Sequence, residues 1–157
     1  MRTIFELLAR EHREIADLLD HVQNASPDEI DDAKDLFAVV EEKLLAHARG
    51  EEAVVYPRLA AIDALREPIA DARDAHGVVE TLLARLEADD LDDDDWLASA
   101  RLLQEEVEQH VDDEEQGIFA IARDELDDDD ASQLARRYLA VREEMIEGRA
   151  AAVSASP

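Results

Sequence analysis

An all-α fold is predicted for this chain: an up-down-up-down four-helix bundle with an additional C-terminal helix. Three observations predict it. Glycine and proline are scarce, four of each in 157 residues. No segment alternates apolar and polar residues as a half-buried strand does. Apolar residues instead recur at three- and four-residue intervals along the whole chain, the spacing of a helix with one buried face.

The first helix covers about residues 3–24, with Thr3 and Glu6 spaced as a capping box and Leu8, His12, Ile15, Leu19 and Val22 as its inner stripe. The second begins near Pro27. Ser26 is placed to cap it, Pro27 suits the first helical position and Glu29 completes the box. Its stripe is Phe37, Val40, Leu44, His47, Glu51 and Val54, and Pro57 is expected to kink or end it. The third starts near Pro68 and carries Ala72, His76, Val79, Leu83 and Leu86. The fourth starts near Trp96, read as a core anchor, and carries Leu103, Val107, His110, Glu114, Ile118 and Ile121. A fifth runs over about residues 131–149. The domain is therefore placed at 1–149, with a frayed tail at 150–157. Aspartate runs at Asp92–Asp95 and Asp127–Asp130 precede the last two helices, where negative charge meets the positive helix end.

Composition excludes several classes of function. There is no cysteine, so disulfides, thiolate metal sites and thiol catalysis are out, and any metal must be held by nitrogen and oxygen. No apolar run approaches the roughly 20 residues that span a bilayer. Residues Met1 to Glu6 lack the apolar core of a signal peptide, so a cytoplasmic location is expected. Acids outnumber bases 42 to 16, a net charge of -26, which repels nucleic acid and anionic membranes alike. With 46% hydrophobic residues at helical spacing, the chain reads as folded inside an acid-rich shell rather than disordered. Such a shell suits a halophilic cytoplasm, where screening removes self-repulsion. Thermal midpoints should accordingly rise from low to molar potassium chloride; a flat or falling midpoint would remove the halophilic reading.

The chain also repeats itself. His47-Ala48-Arg49-Gly50-Glu51-Glu52 is echoed 63 residues later by His110-Val111-Asp112-Asp113-Glu114-Glu115. Val55-Tyr56 follows the first copy and Ile118-Phe119 the second, while His12 and His76 stand 64 apart. Two helical hairpins, each with one histidine and one His-x-x-x-Glu, are thus related by a near-constant offset, as if packed about a pseudo-two-fold axis. Residues four apart share a helix face, and each His-x-x-x-Glu pair takes the place of aliphatics in a core stripe. Four imidazoles and two carboxylates are aimed at one interior. Buried carboxylates without compensation cost several kcal/mol each, of the order of a fold's whole stability, roughly 5–15 kcal/mol. A metal offsets that cost, and two glutamates from opposite hairpins are placed to bridge two ions. The metal-site residues are therefore His12, His47, Glu51, His76, His110 and Glu114. His21, nine residues and about 900° from His12, faces the other way and is read as a surface residue. Tyr56 is read as a plug at the end of the core rather than a lining of the site.

The order His12, His47-x-x-x-Glu51-Glu52 with Val55-Tyr56-Pro57, His76, then His110-x-x-x-Glu114-Glu115 with Ile118-Phe119 resembles the hemerythrin-like HHE domain family over about residues 1–149. The resemblance implies two iron ions with an oxo or hydroxo bridge, with the four histidines as terminal ligands and Glu51 and Glu114 as bridges. It also implies dioxygen or another small diatomic as ligand, in sensing, storage or iron handling. Imidazole and carboxylate suit zinc and manganese too, and iron enters through the resemblance alone. One departure stands out. Oxygen-carrying hemerythrins place two histidines four apart on the third helix, and here the partner of His76 at that spacing is Glu80. Either a coordination position is left open or Glu80 fills it, and reversible oxygen carriage is put in doubt. The runner-up function is a di-iron enzyme, peroxidase- or oxidase-like or repairing nitrosative damage; turnover with peroxide and a reductant separates it from a binding protein.

Overall fold

The computed structural model describes residues 2–88 and 90–155, and among them every regular element is helical. A hairpin of α1 (Ile4–Gln23) and α2 (Ile30–Gly50) is followed by a π-helical turn (Glu51–Val55) and the short α3 (Tyr56–Leu59). A second hairpin of α4 (Arg66–Glu87) and α5 (Asp93–Asp112) is followed by its own π-helical turn (Asp113–Ile118) and α6 (Phe119–Glu125). The last helix, α7 (Asp128–Ala155), lies against α2, the first π turn and α1. The α1–α2 and α4–α5 hairpins meet mainly where α1 packs on α5. The expected bundle with an extra C-terminal helix is the fold observed. Among the described residues no helix is long and apolar enough to cross a membrane.

Local chemistry explains most of the boundaries. The capping box at α1 is present: the Glu6 N–H donates to Thr3 Oγ1, and the Thr3 N–H donates to the Glu6 carboxylate at 2.9 Å. The one expected at Ser26 is not. Residues Pro27–Glu29 form a 3-10 turn in which the Glu29 N–H donates to the backbone carbonyl of Ser26 at 2.8 Å, and Ser26 makes no side-chain cap. Both aspartate runs supply caps: Asp92 accepts from the Asp95 N–H and Asp127 from the Asp130 N–H, each at 2.8 Å. The runs thus lie within the first turns of α5 and α7, starting these helices three residues before the expected positions. Trp96 is the anchor it was read as, buried, edge-on to Phe37, with its indole N–H donating to the Leu86 carbonyl. The stretch 150–155 continues α7 as helix, with residues 151–155 exposed; residues 156–157 of the expected tail lie outside the described residues.

The core is split into two apolar clusters. One gathers Phe5, Leu8, Val55, Tyr56, Leu59, Ile69, Phe119 and Tyr138. The other gathers Ile15, Phe37, Val40, Leu44, Val79, Leu83, Trp96, Leu103 and Val107. Between them every long bundle helix changes from apolar to polar at the same level. Along α1, Leu8 gives way to Glu11 and His12 before Ile15; along α4, Ala72 gives way to His76 before Val79. A layer of buried ionisable side chains therefore crosses the middle of the bundle. One glycine is dictated by α7: a Cβ on Gly50 would stand 2.5 Å from the Tyr138 ring, so any larger residue would push that ring away from the layer.

Candidate metal centre

The layer brings together all six residues that the sequence singled out. His12, His47, Glu51 and Glu114 have ligand-type atoms within 4.8 Å of one another, and so do Glu51, His76, His110 and Glu114. The two groups share both glutamates. Glu51 Oε1 lies 3.1 Å from His47 Nε2, while its Oε2 lies 3.1 Å from His76 Nε2. Glu114 Oε2 lies 3.3 Å from His12 Nε2, and its Oε1 lies 3.3 Å from His110 Nε2. Each carboxylate thus presents one oxygen to each histidine pair, the disposition of a bridge between two cations. Within each pair the Nε2 atoms are 3.1 Å apart, His12 to His47 and His76 to His110.

The π turns put the glutamates there. In each turn the bond runs five residues back: the Tyr56 N–H donates to the Glu51 carbonyl, and the Phe119 N–H to the Glu114 carbonyl. Single wide turns of this kind occur often at functional sites. In the first copy the wide turn also stands where Pro57, lacking an N–H, would break an α-helical ladder, so the rod continues to Leu59 instead of ending. In the second copy the extra residue changes the phase of the buried stripe. An unbroken α-helix buries Ile121, as expected from sequence; the structure leaves Ile121 38% exposed and buries Phe119 and Ala122 completely.

Three of the histidines are oriented by carboxylates at their far nitrogen. His12 Nδ1–H donates to Glu115 at 2.8 Å, and His76 Nδ1–H to Glu52 at 3.1 Å. Here the repeat is exchanged between halves, the glutamate of each hairpin holding the histidine of the other. His47 Nδ1–H donates to Glu11 at 2.9 Å; Glu11 also accepts from Tyr138 and from Arg142, both on α7. His110 has no such partner among the described residues, because the repeat equivalent of Glu11 is Ala75. An ionised carboxylate only accepts, so these bonds place the ring proton on Nδ1 and leave the Nε2 lone pair facing the centre. Sequence reasoning quoted Glu52 and Glu115 as part of the repeated motif without giving them this task. It missed Glu11, Tyr138 and Arg142, which no repeat marks.

Electrostatics show the layer to be unbalanced as it stands. Burial alone pulls the His47 imidazole down, yet Glu51 and Glu11 outweigh it and push its pKa up to about 10. His76 is raised in the same way, against burial, by Glu51 and Glu52. Burial raises Glu51, but His47 and His76 hold it well below the usual carboxylate range. Glu114 is lowered too, with His110 and His12 prevailing over burial and the Glu51 charge. The layer therefore calls for positive charge between its nitrogens and oxygens. Two buried carboxylate oxygens, Glu51 Oε1 and Glu114 Oε2, have no hydrogen-bond partner, and lone pairs 3.1 Å apart on paired imidazoles repel unless a proton or cation lies between them. Nitrogen and oxygen ligands at about 2.0–2.2 Å from a first-row ion stand roughly 3–3.5 Å from one another; the contacts above fall in that range. The residues fit a metal centre held by nitrogen and oxygen.

The remaining readings from sequence divide. His21 is exposed, its Nδ1–H donating to the Asp17 carbonyl, as expected of a surface residue. Glu80 does not join either group; it is half-buried and lies 3.9 Å from Arg49. Tyr56 is a correction. It does not plug the core's end: its hydroxyl reaches into the His76–His110 group, donating to Glu114 Oε1 at 2.5 Å with His76 Nε2 at 3.1 Å. Burial, then Glu51 and Glu114, drive its pKa upward. Its reach follows from the π turn, which periodicity did not reveal. On the side of the centre away from Tyr56 lies a cavity of about 30 Å³. All four histidines line it, with Ile15, Leu44, Val79, Leu83 and Val107 supplying apolar walls and Glu80 at its margin.

Compared with known families, residues 3–122 match the description of the hemerythrin HHE cation binding domain. That span holds both hairpins and every residue of the two groups, and stops before α7. No curated protein and no solved structure matches the chain.

Proposed function

Because this chain belongs to the hemerythrin HHE cation-binding domain family, we propose that it is a non-haem di-iron protein that responds to dioxygen or another small diatomic, in sensing, storage or iron handling. The observation that carries the reading is the sharing of Glu51 and Glu114 between two histidine pairs beside a small apolar cavity. His12 and His47 would hold one ion, His76 and His110 the other, with the two glutamates bridging. Iron there would supply one-electron redox chemistry and an exchangeable coordination position.

The chain's own residues set the limits of that chemistry. Glu11, Glu52 and Glu115 hold His47, His76 and His12 in the tautomer that aims a lone pair inward. A cavity of about 30 Å³ has room for a molecule of the size of water or dioxygen. Its walls are largely aliphatic, which favours an uncharged ligand. Glu80, turned toward Arg49, brings no nitrogen in place of the second histidine of oxygen carriers.

The reading is tested by stopped-flow spectra of the iron-loaded, reduced protein mixed with air-saturated buffer. The spectrum should change once, slowly, to that of the oxidised protein, and evacuation should not reverse it. Recovery of the starting spectrum under vacuum would restore oxygen carriage; no reaction at all would remove the oxygen-responsive reading.

A further inference from the structure

We infer that the Tyr56 phenolic oxygen is itself a metal ligand, and that it serves only the cation of the His76–His110 group. The inference rests on the di-iron reading above. The Tyr56 oxygen is surrounded by the atoms of that group: Glu114 Oε1 at 2.5 Å, His76 Nε2 at 3.1 Å, Glu51 Oε2 at 3.3 Å and His110 Nε2 at 3.5 Å. A hydroxyl has one proton to donate. The bond to Glu114 uses it, and the oxygen lone pairs then face an imidazole nitrogen and a second carboxylate across buried space. One cation among these five atoms satisfies them all. The side chain is fully buried, away from bulk solvent.

The repeat explains why only one position is affected. Five residues after each shared glutamate, the π turn aims an aromatic ring back toward the centre: Tyr56 in one half, Phe119 in the other. The Phe119 ring lies parallel to the His12 ring at 6.2 Å and has no oxygen to offer. The His76–His110 position thus has five protein donors and the His12–His47 position four, which leaves the latter for a small ligand. On binding, the phenolic O–H bond breaks, an oxygen–metal bond forms and the proton leaves to solvent; no electron is transferred. An anionic oxygen donor favours the ferric state at that position, so oxidation there is expected not to reverse on evacuation.

The chain has two tyrosines, which makes the assignment unambiguous. Wild type, Tyr56→Phe and Tyr138→Phe are loaded with ferric iron, assayed for iron per chain, and examined by visible absorption and resonance Raman. Tyr138 contacts Glu11 and the outer nitrogen of His47, not the centre's interior. Wild type and Tyr138→Phe should show a phenolate-to-iron charge-transfer band with enhanced tyrosine ring modes. Tyr56→Phe, which copies the Phe119 half, should lose both while keeping iron at its position. Two ions per chain without phenolate modes in wild type, or a band that survives in Tyr56→Phe, overturns the inference and leaves the di-iron reading standing. A wild type that takes up no iron overturns both. Should Tyr56→Phe fail to fold, the wild-type and Tyr138→Phe spectra decide alone.

Discussion

Alanine at Glu51 or Glu114 should empty both metal positions, whereas alanine at His12 or His76 should remove one ion or weaken one position sharply. The difference follows from sharing: each glutamate offers one oxygen to each histidine pair, and each histidine belongs to a single pair. Removing an outer carboxylate, as in Glu52→Ala or Glu115→Ala, should cost roughly 10–100-fold in affinity without emptying either position. His21→Ala should leave metal content unchanged and stability within about 0.5 kcal/mol, as for most surface substitutions. Metal titrations of these variants, with far-ultraviolet dichroism to verify folding, separate the three tiers. Two ions retained in Glu51→Ala would contradict the bridging arrangement, and iron lost from His21→Ala but not His12→Ala would overturn the register of α1.

Removing the metal should have the second large effect. A ligand that binds only the folded state stabilises it by about 4 kcal/mol at a thousandfold excess over its dissociation constant. For a chain of this size that is a fall in melting midpoint on the order of 10 °C upon chelation. The size of the fall should depend on pH. In the metal-free protein the His47 pKa is raised from 6.5 to about 10 by Glu51 and Glu11 acting against burial. Its contribution to stability is fully present below pH 6.5 and is lost as pH rises through about 10. Metal binding requires the unprotonated imidazole, so the loaded protein gains over the same interval. The gap between loaded and chelated midpoints should widen from pH 6.5 upward. A gap that narrows would mean that metal and protons do not compete for the same nitrogens.

Much of the molecule was legible in its sequence because burial and repetition leave plain marks. A histidine in an aliphatic stripe has to be inside, and a second copy of the same pattern 63 residues on fixes which residues meet. The stripes on α1, α2 and α4 are buried as read, and the six inner residues lie together. The π turns left no such mark. They add one residue to a turn without changing composition, so the phase after Glu114 was read one residue off and Ile121 was placed inside. The same turn hid the reach of Tyr56. Glu11 could not be told from the other acids of a chain holding 42, since its buried state depends on Tyr138 and Arg142 arriving from α7. Ser26 shows the limit of local motifs: the right residues were present, but the 3-10 turn at Pro27 gave the backbone carbonyl the bond that the side chain was expected to take.

The central claim is that one buried layer holds two cations through two shared carboxylates. Elemental analysis of the purified chain after loading with iron tests it most directly, combined with melting in the presence and absence of chelator. The account predicts close to two iron ions per chain and a midpoint that drops on chelation. A chain that binds none, and melts cooperatively at the same temperature with and without chelator, would contradict it.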